Sequence, residues 1–384
     1  MEDIVILSAV RTPIGSINGT LGSYTAPQLG AKAIAAALKA TPVKAEQVDE
    51  VIMGNVLSGG VGQAPARQAA IGAGLPASAG ATTVNKVCGS GMKAVMLAAQ
   101  SLLLGDSKVV IAGGMESMTK APYLLDKARG GYRFGHAKML DSVISDGLWD
   151  PYSNIHMGDC GELCAEKHAI SRADQDAFAI ESYKKAQKAQ ADGVFAREIV
   201  PVDGIAEDEE PKRAAFEKIP KLKPAFKPGG TITAANASKL NDGAAALVLT
   251  TKTTAAELGA KPRARIVGWA TFSQEPVWFT TAPAGAIEKL LKRVGWTKEQ
   301  VDLFEVNEAF AVVSLAVAKL AGLPLEKINV HGGAVALGHP LGASGARILV
   351  TLLNALETRN VKRGVAAICL GGGESVAVAI ERQG

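Results

Sequence analysis

Four short stretches of the 384-residue chain carry residue types that could do covalent chemistry together. In Asn85-Lys86-Val87-Cys88-Gly89-Ser90-Gly91 a cysteine precedes small residues and then an alanine-rich apolar run, which places the thiol where a loop turns into a buried helix. Free N–H groups and the positive end of the helix dipole favour thiolate over thiol there, so the spacing predicts an acidic, nucleophilic Cys88. A cysteine is also a good small buried hydrophobe, and the surroundings have to decide between the two. Gly338-His339-Pro340 presents a histidine from a constrained, glycine-rich loop just before another helix. Cys369-Leu370-Gly371-Gly372-Gly373 sets a second thiol at a strand end, beside three glycines whose N–H groups are available to an oxyanion. Asn307-Glu308-Ala309-Phe310 follows a strand ending at Val306, a place where asparagine is most often a turn residue. Taken together, these groups describe carbon–carbon bond chemistry on a thioester. One thiolate takes an acyl group, the second thiol moves a proton at the alpha carbon, and donors hold the enolate oxygen.

The elements that must position these groups occur twice. Thr25-Ala26-Pro27 recurs as Thr281-Ala282-Pro283, Glu46-Gln47-Val48-Asp49 as Glu299-Gln300-Val301-Asp302, Ser90-Gly91 as Ser344-Gly345, and Gly114-Met115-Glu116-Ser117 is echoed by Gly372-Gly373-Glu374-Ser375. The matches keep one order at nearly one offset, which implies two similar halves, 1–118 and 262–384, with 249–261 returning to the first. Each half reads as strand (4–9; 264–269), helix (28–39; 284–294), strand (49–53; 302–306), a Ser-Gly turn opening a second helix (91–104; 345–357), and another strand (109–113; 366–370). Strands separated by helices imply an α/β fold with mixed or parallel sheets covered on both faces. Two such halves stack as five layers, α/β/α/β/α. A pseudo-twofold axis between them would bring the two Ser-Gly helix starts together at the active site.

Between the halves, 119–248 is more charged and more loop-like. Ser171 to Asp174 is a helix start, and Glu207-Asp208-Glu209-Glu210 gives way to Lys212, Arg213, Lys218, Lys221, Lys223 and Lys227. That basic run is either a solvated loop or an anion-binding rim. His156, Cys160, Cys164 and His168 recur every four residues and invite a zinc reading, but on one helix they would spread over about 18 Å, too far for one ion, so no metal is expected. Hydrophobic residues make up 48% and charged residues 20%, the composition of a well-packed globular protein. A net charge of +4 without a Lys/Arg tract excludes the footprint of a nucleic-acid binder. Four scattered cysteines fit reduced thiols, no leader or peroxisomal ending is visible, and no uncharged run of 18 apolar residues occurs, so a cytoplasmic protein without a membrane span is expected.

The runs Asn85 to Lys93, Asn307 to Phe310, Gly338 to Pro340 and Cys369 to Gly373 resemble the four signature blocks of the thiolase family, and the resemblance covers essentially the whole chain. It implies a thiolase fold with an inserted loop domain that binds coenzyme A (CoA), ping-pong acyl transfer between acyl-CoA molecules, and homodimers or homotetramers. CoA is then a substrate and no cofactor is needed. Carried over, Cys88 is the acylated nucleophile, His339 its base, and Cys369 the acid/base at the alpha carbon. His339 with a water on Asn307 makes one oxyanion hole, and the N–H groups of Cys88 and Gly371 make the other. His156, Met157, Ala234 and Ser238 are expected at CoA, with Phe226 and Phe310 along the pantetheine channel and Phe279 closing the acyl end. Glu374 after the triple glycine and Lys239 after Ser238 depart from the family pattern, and an inward Glu374 would raise the pKa of Cys369. Trp278 and Phe279 favour acetyl and acetoacetyl groups, with longer 3-ketoacyl chains of fatty-acid β-oxidation as the alternative. A condensing enzyme with two histidines is disfavoured by Cys369, and a non-catalytic binder by the presence of all four polar groups.

Overall fold

The structure, a computed structural model, describes residues 2–383. The first half runs β1 (Ile4–Arg11), the two-residue β2 (Gly15–Ser16), α1 (Ala26–Lys39), β3 (Glu50–Gly54), α2 (Pro65–Gly72), β4 (Gly80–Val84), α3 (Ser90–Leu104) and β5 (Val109–Ser117). An excursion follows with two short ribbons, β6 (Tyr123–Leu124) with β7 (Leu140–Asp141) and β8 (Trp149–Asp150) with β9 (Ile155–His156), then α4 (Met157–Lys167) and α5 (Arg172–Ala191). Next come β10 (Asn241–Thr251) and α6 (Lys252–Glu257), and the second half follows as β11 (Ala264–Ser273), α7 (Ala282–Val294), β12 (Leu303–Val306), α8 (Ala311–Ala321), the single turn α9 (Ala334–Leu337), α10 (Leu341–Thr358), β13 (Arg363–Leu370) and β14 (Glu374–Arg382). β10 pairs antiparallel with both β1 and β5, so the chain re-enters the sheet at Asn241 rather than at 249.

The halves share one topology. β3 lies parallel to β4 and β5, and β12 lies parallel to β13. The counterpart of β4 in the second half is reduced to a single parallel bridge between Phe304 and Ile328. The strand order β12-β13-β14-β11-β1-β10-β5-β3-β4 joins the halves at a short antiparallel ladder, Ile4–Ile6 against Ala264–Ile266. Alternation along the strands sorts side chains into layers. On β10, Ala244, Ala246 and Val248 face the cluster under α1 and α2, whereas Ala245, Leu247 and Leu249 face α3 and α10. On β13, Val365, Ala367 and Cys369 face the cluster under α7 and α8, whereas Ala366, Ile368 and Leu370 face the same central helices. The chain is thus the five-layer α/β/α/β/α stack, with α3 and α10 as the shared middle. Residues 87–104 are long and apolar enough to cross a membrane, yet here they form that middle layer.

Both Thr-Ala-Pro repeats open the outer helices, with Thr25 capping α1 and Thr281 at the N-terminus of α7. The two Ser-Gly pairs do meet. A Cβ on Gly345 would lie 2.5 Å from the Met92 amide nitrogen, and one on Gly91 would lie 2.9 Å from the Gly342 carbonyl oxygen, so α3 and α10 cross backbone to backbone. α10 starts at Leu341 rather than at 345, because Pro340 supplies the helix N-cap position and Ser344 folds into the first turn.

Candidate active site

A tight turn presents Cys88. Val87 sits at φ +44°, a left-handed conformation that a β-branched residue adopts only when its surroundings hold it there. The Asn85 Oδ1 accepts from the Val87 amide (3.0 Å), and Ser90 Oγ accepts from the Lys86 amide (2.8 Å) while donating to the Val87 carbonyl (2.6 Å). Gly89 packs directly under Leu370, where a side chain would collide with it, and this brings Cys88 to the end of the strand that carries Cys369. The backbone N–H groups of Cys88 and Gly371 favour the Cys88 thiolate. They lower its pKa, but burial outweighs them and pushes the thiol up to about 12. The expectation of an acidic Cys88 from its helix-start position is therefore corrected: the site is too dry for the dipole to prevail.

His339 is buried and held at both ends. Its amide donates to Asn241 Oδ1 (2.9 Å), and Asn241 Nδ2 donates to the Gly15 carbonyl (3.0 Å). Gly338 at φ +108° makes this possible, since a Cβ there would lie 2.5 Å from the Asn241 carboxamide. Ser344 Oγ lies 2.6 Å from His339 Nδ1 and 2.9 Å from the Pro340 carbonyl. With the hydroxyl proton on that carbonyl, Nδ1 carries hydrogen and donates to Oγ, which leaves the lone pair on Nε2. Nε2 has no hydrogen-bond partner among the described residues. Burial, helped by Arg347, pushes the imidazole down to about 3, so it is neutral. The Asn307 amide donates to the Ala367 carbonyl at 3.0 Å, and neither atom of its buried carboxamide has a partner among the described residues. Burial and the neighbouring Cys88 hold the Cys369 thiol well above its ordinary pKa. Glu374 points away from it. Burial acts to raise its pKa, but the ion pair with Lys86 and a hydrogen bond from Ser273 (2.9 Å) hold the carboxyl below the ordinary range.

A cavity of about 320 Å³ reaches His339 and is lined by His156, Phe226, Ala234, Ser238 and Phe310 as the sequence suggested, and also by Met118, Lys239 and Leu341. Cys88 shares its apolar cluster with Met118 and Leu341, and Cys369 shares the neighbouring cluster with Met157 and Phe310. His156 Nδ1 accepts from the Gly158 amide (3.0 Å) and its ring lies 4.8 Å from that of Phe226. The Met157 methyl lies 3.8 Å from where a Gly371 Cβ would be. Phe279 is placed differently, buried among the residues around Cys369 rather than on the cavity wall. Trp278 stacks under the Lys167 ammonium at 3.8 Å. Cys160 and Cys164 are buried packing residues in α4. A larger groove of about 700 Å³ beside α7 holds no thiol or imidazole among its lining residues.

Three buried polar residues escaped the sequence reading: Asn241, Ser344 and Glu116. The Glu116 carboxylate accepts from the Val56 (3.0 Å), Leu57 (3.2 Å) and Gly342 (2.8 Å) amides and from Asn55 Nδ2 (2.6 Å), tying the loop after β3 to the first turn of α10. The repeat that ends in Glu116-Ser117 was its one visible trace.

The fold and the paired thiols define a duplicated α/β protein built for thiol chemistry. Residues 4–253 match the thiolase N-terminal domain and residues 260–382 the thiolase C-terminal domain, and the chain belongs to the thiolase family. It is 54% identical to the probable acetyl-CoA acetyltransferase of Dictyostelium discoideum, over 100% of this chain and 94% of that protein. It is 50% identical to the acetyl-CoA acetyltransferase of Cupriavidus necator, with 100% of both covered. The Acat5 thiolase of Ascaris suum, crystallised with coenzyme A, superposes with a TM-score of 0.96 at 46% identity, covering 100% of both chains. The acetyl-CoA acetyltransferase of Bacillus anthracis does so with a TM-score of 0.97 at 42% identity, over 100% of this chain and 99% of that one.

Proposed function

We propose that the chain is an acetyl-CoA C-acetyltransferase, cleaving acetoacetyl-CoA with CoA into two acetyl-CoA and running the reverse Claisen condensation. The observation that carries it is the set of unpartnered buried atoms, His339 Nε2 and both ends of the Asn307 carboxamide, beside two neutral buried thiols. Buried polar atoms need partners, and a substrate oxygen together with a bound water would satisfy these three.

In thiolysis, His339 Nε2 takes the Cys88 proton as the sulfur attacks the 3-keto carbon of acetoacetyl-CoA. The N–H groups of Cys88 and Gly371, which favour negative charge at Cys88, receive the tetrahedral oxyanion. The carbon–carbon bond breaks and leaves acetyl-Cys88 and the enolate of acetyl-CoA. The new Nε2–H, with a water on Asn307, holds the enolate oxygen while the Cys369 thiol protonates its carbon. A thiol with a raised pKa suits that acid role, since it keeps its proton until the carbanion forms. CoA then gives its thiol proton to the relay, attacks the acetyl carbonyl and leaves as the second acetyl-CoA, while Cys88 and Cys369 regain their protons.

His156, Met157, Phe226, Ala234, Ser238 and Phe310 are assigned to the CoA arm, in the loop domain and its rim. The full-length relatives are acetyl-CoA acetyltransferases, which supports the short acyl group over the β-oxidation reading. A homodimer or homotetramer in the cytoplasm is the proposed setting, in keeping with four free, buried cysteines. The test is a thiolysis series over 3-ketoacyl-CoA length. Activity should be highest with acetoacetyl-CoA and fall in a graded way, and faster cleavage of an eight-carbon substrate would overturn the acetyl assignment.

A further inference from the structure

Lys239 follows Ser238, where the family pattern commonly has glycine, and its side chain lines the cavity. Its ammonium donates to the Ala237 carbonyl at 2.7 Å and reaches the Val335 carbonyl at 3.4 Å. Val335 belongs to α9, the single turn that leads through Gly338 into His339. A four-residue turn cannot hold itself, so its anchors decide where it sits. The Val335 amide donates to Glu308 Oε2 at 3.1 Å. Glu308 follows Asn307 and also accepts from Ser182 Oγ and Asn329 Nδ2, each at 2.8 Å. One turn of helix is therefore gripped at its amide from the Asn307 strand end and at its carbonyl from the cavity loop that contains Ala234 and Ser238. The groups facing the ammonium are the carboxyls of Glu210 and Glu308 and the ring of Tyr183, 5.7 Å away.

We infer that Lys239 is a positioning residue that clamps the CoA-facing loop to the turn carrying His339, so that CoA is held tightly only while the ammonium is charged. The inference rests on the acyl-CoA reading above. A charged donor makes the stronger hydrogen bonds, and loss of the proton weakens both contacts at once. Burial draws the group down to about 8, with Glu210 and Glu308 acting the other way, so the charge is lost within a range where the enzyme can be assayed. Because the folded pKa lies below the ordinary 10.5, the unfolded chain binds more protons between those values. This group's contribution to global stability therefore improves as pH rises through about 8, while the clamp weakens. Local loosening and unfolding thus move in opposite directions.

The experiment measures KM for CoA and kcat of thiolysis from about pH 6.5 to about 9.5 for wild type, Lys239→Met and Lys239→Arg, with CoA Kd by calorimetry and melting temperatures in parallel. Wild type should lose about three- to tenfold in CoA affinity through about pH 8, with kcat changing less and no fall in melting temperature tied to that step. Lys239→Met should bind CoA about tenfold more weakly at neutral pH and lack the step, whereas Lys239→Arg, charged throughout, should keep tight binding on the alkaline side. Should the Met variant not fold, the alkaline limb of the Arg variant decides. A Met variant with wild-type affinity and the same pH step, or an Arg variant that loses affinity in parallel with wild type, overturns the clamp. A wild type that binds CoA with the predicted step but cleaves no acetoacetyl-CoA overturns the proposed reaction and upholds the clamp, and one that binds no CoA overturns both.

Discussion

Replacing Ser344 with alanine removes the atom that decides which nitrogen of His339 carries hydrogen. In the structure Ser344 Oγ lies 2.6 Å from Nδ1 and 2.9 Å from the Pro340 carbonyl, and donation to that carbonyl makes Oγ the acceptor for Nδ1–H. Without it, a buried Nδ1–H loses its acceptor, at a cost of about 1 to 3 kcal/mol. The imidazole escapes that cost by moving the hydrogen to Nε2, the tautomer that cannot take the Cys88 proton. The same free energy then appears in the barrier to acylation, and at about 1.4 kcal/mol per tenfold it predicts a kcat about 5- to 150-fold lower. Ser344 is not among the residues lining the CoA cavity, so KM for CoA should stay within about twofold. The assay is acetoacetyl-CoA thiolysis followed by loss of the enolate absorbance, with CoA varied at saturating acetoacetyl-CoA. A kcat within about threefold of wild type would refute the tautomer reasoning, and a raised KM with unchanged kcat would move Ser344 from catalysis to binding.

The resting Cys88–His339 pair should be neutral, because burial pushes the thiol up to about 12 and the imidazole down to about 3. Iodoacetamide alkylation of Cys88 should then keep rising with pH beyond about 9 and slow in His339→Ala, whereas a plateau near neutrality would reveal a thiolate–imidazolium pair. Phe279 is 2% exposed within the cluster that holds Cys369, so Phe279→Ala should cost about 3 to 5 kcal/mol in urea unfolding and raise the ratio of six-carbon to acetoacetyl-CoA thiolysis. An unchanged ratio would place Phe279 outside the acyl end. Lys86→Met should cost no more than about 1 kcal/mol, because its ion pair with Glu374 is partly exposed, and a larger loss in urea unfolding would show that the pair holds the two thiol loops together.

Periodicity and repetition carried the fold a long way. The repeated Ser-Gly pairs anticipated the crossing of α3 and α10, because only residues without bulk let two helices touch at Gly91 and Gly345. What spacing could not convey was environment. Cys88 at a helix start suggests an acidic thiol until the packing of Leu370 and Val376 around Gly89 is known, and burial then reverses the sign. Ser344 was legible as half of a repeat but not as the partner of His339, since that contact depends on where Pro340 starts the helix. Asn241 and Glu116 are distant from the residues they hold, and a lone buried asparagine or glutamate looks in sequence like any other. Glu374 was legible as a departure, and its resolution by Lys86 required the two loops to be brought side by side.

Acetylation of Cys88 tests the central claim most directly. The enzyme, its Cys88→Ala variant and its Cys369→Ala variant are mixed with acetyl-CoA, quenched in acid and digested for peptide mass analysis. The mechanism predicts one acetyl group on the peptide containing Cys88 in wild type and in Cys369→Ala, none in Cys88→Ala, and no exchange of alpha protons with solvent in Cys369→Ala. Acetyl transfer at normal rates to another thiol in Cys88→Ala, or an unlabelled Cys88 in a wild type that turns over, would contradict it.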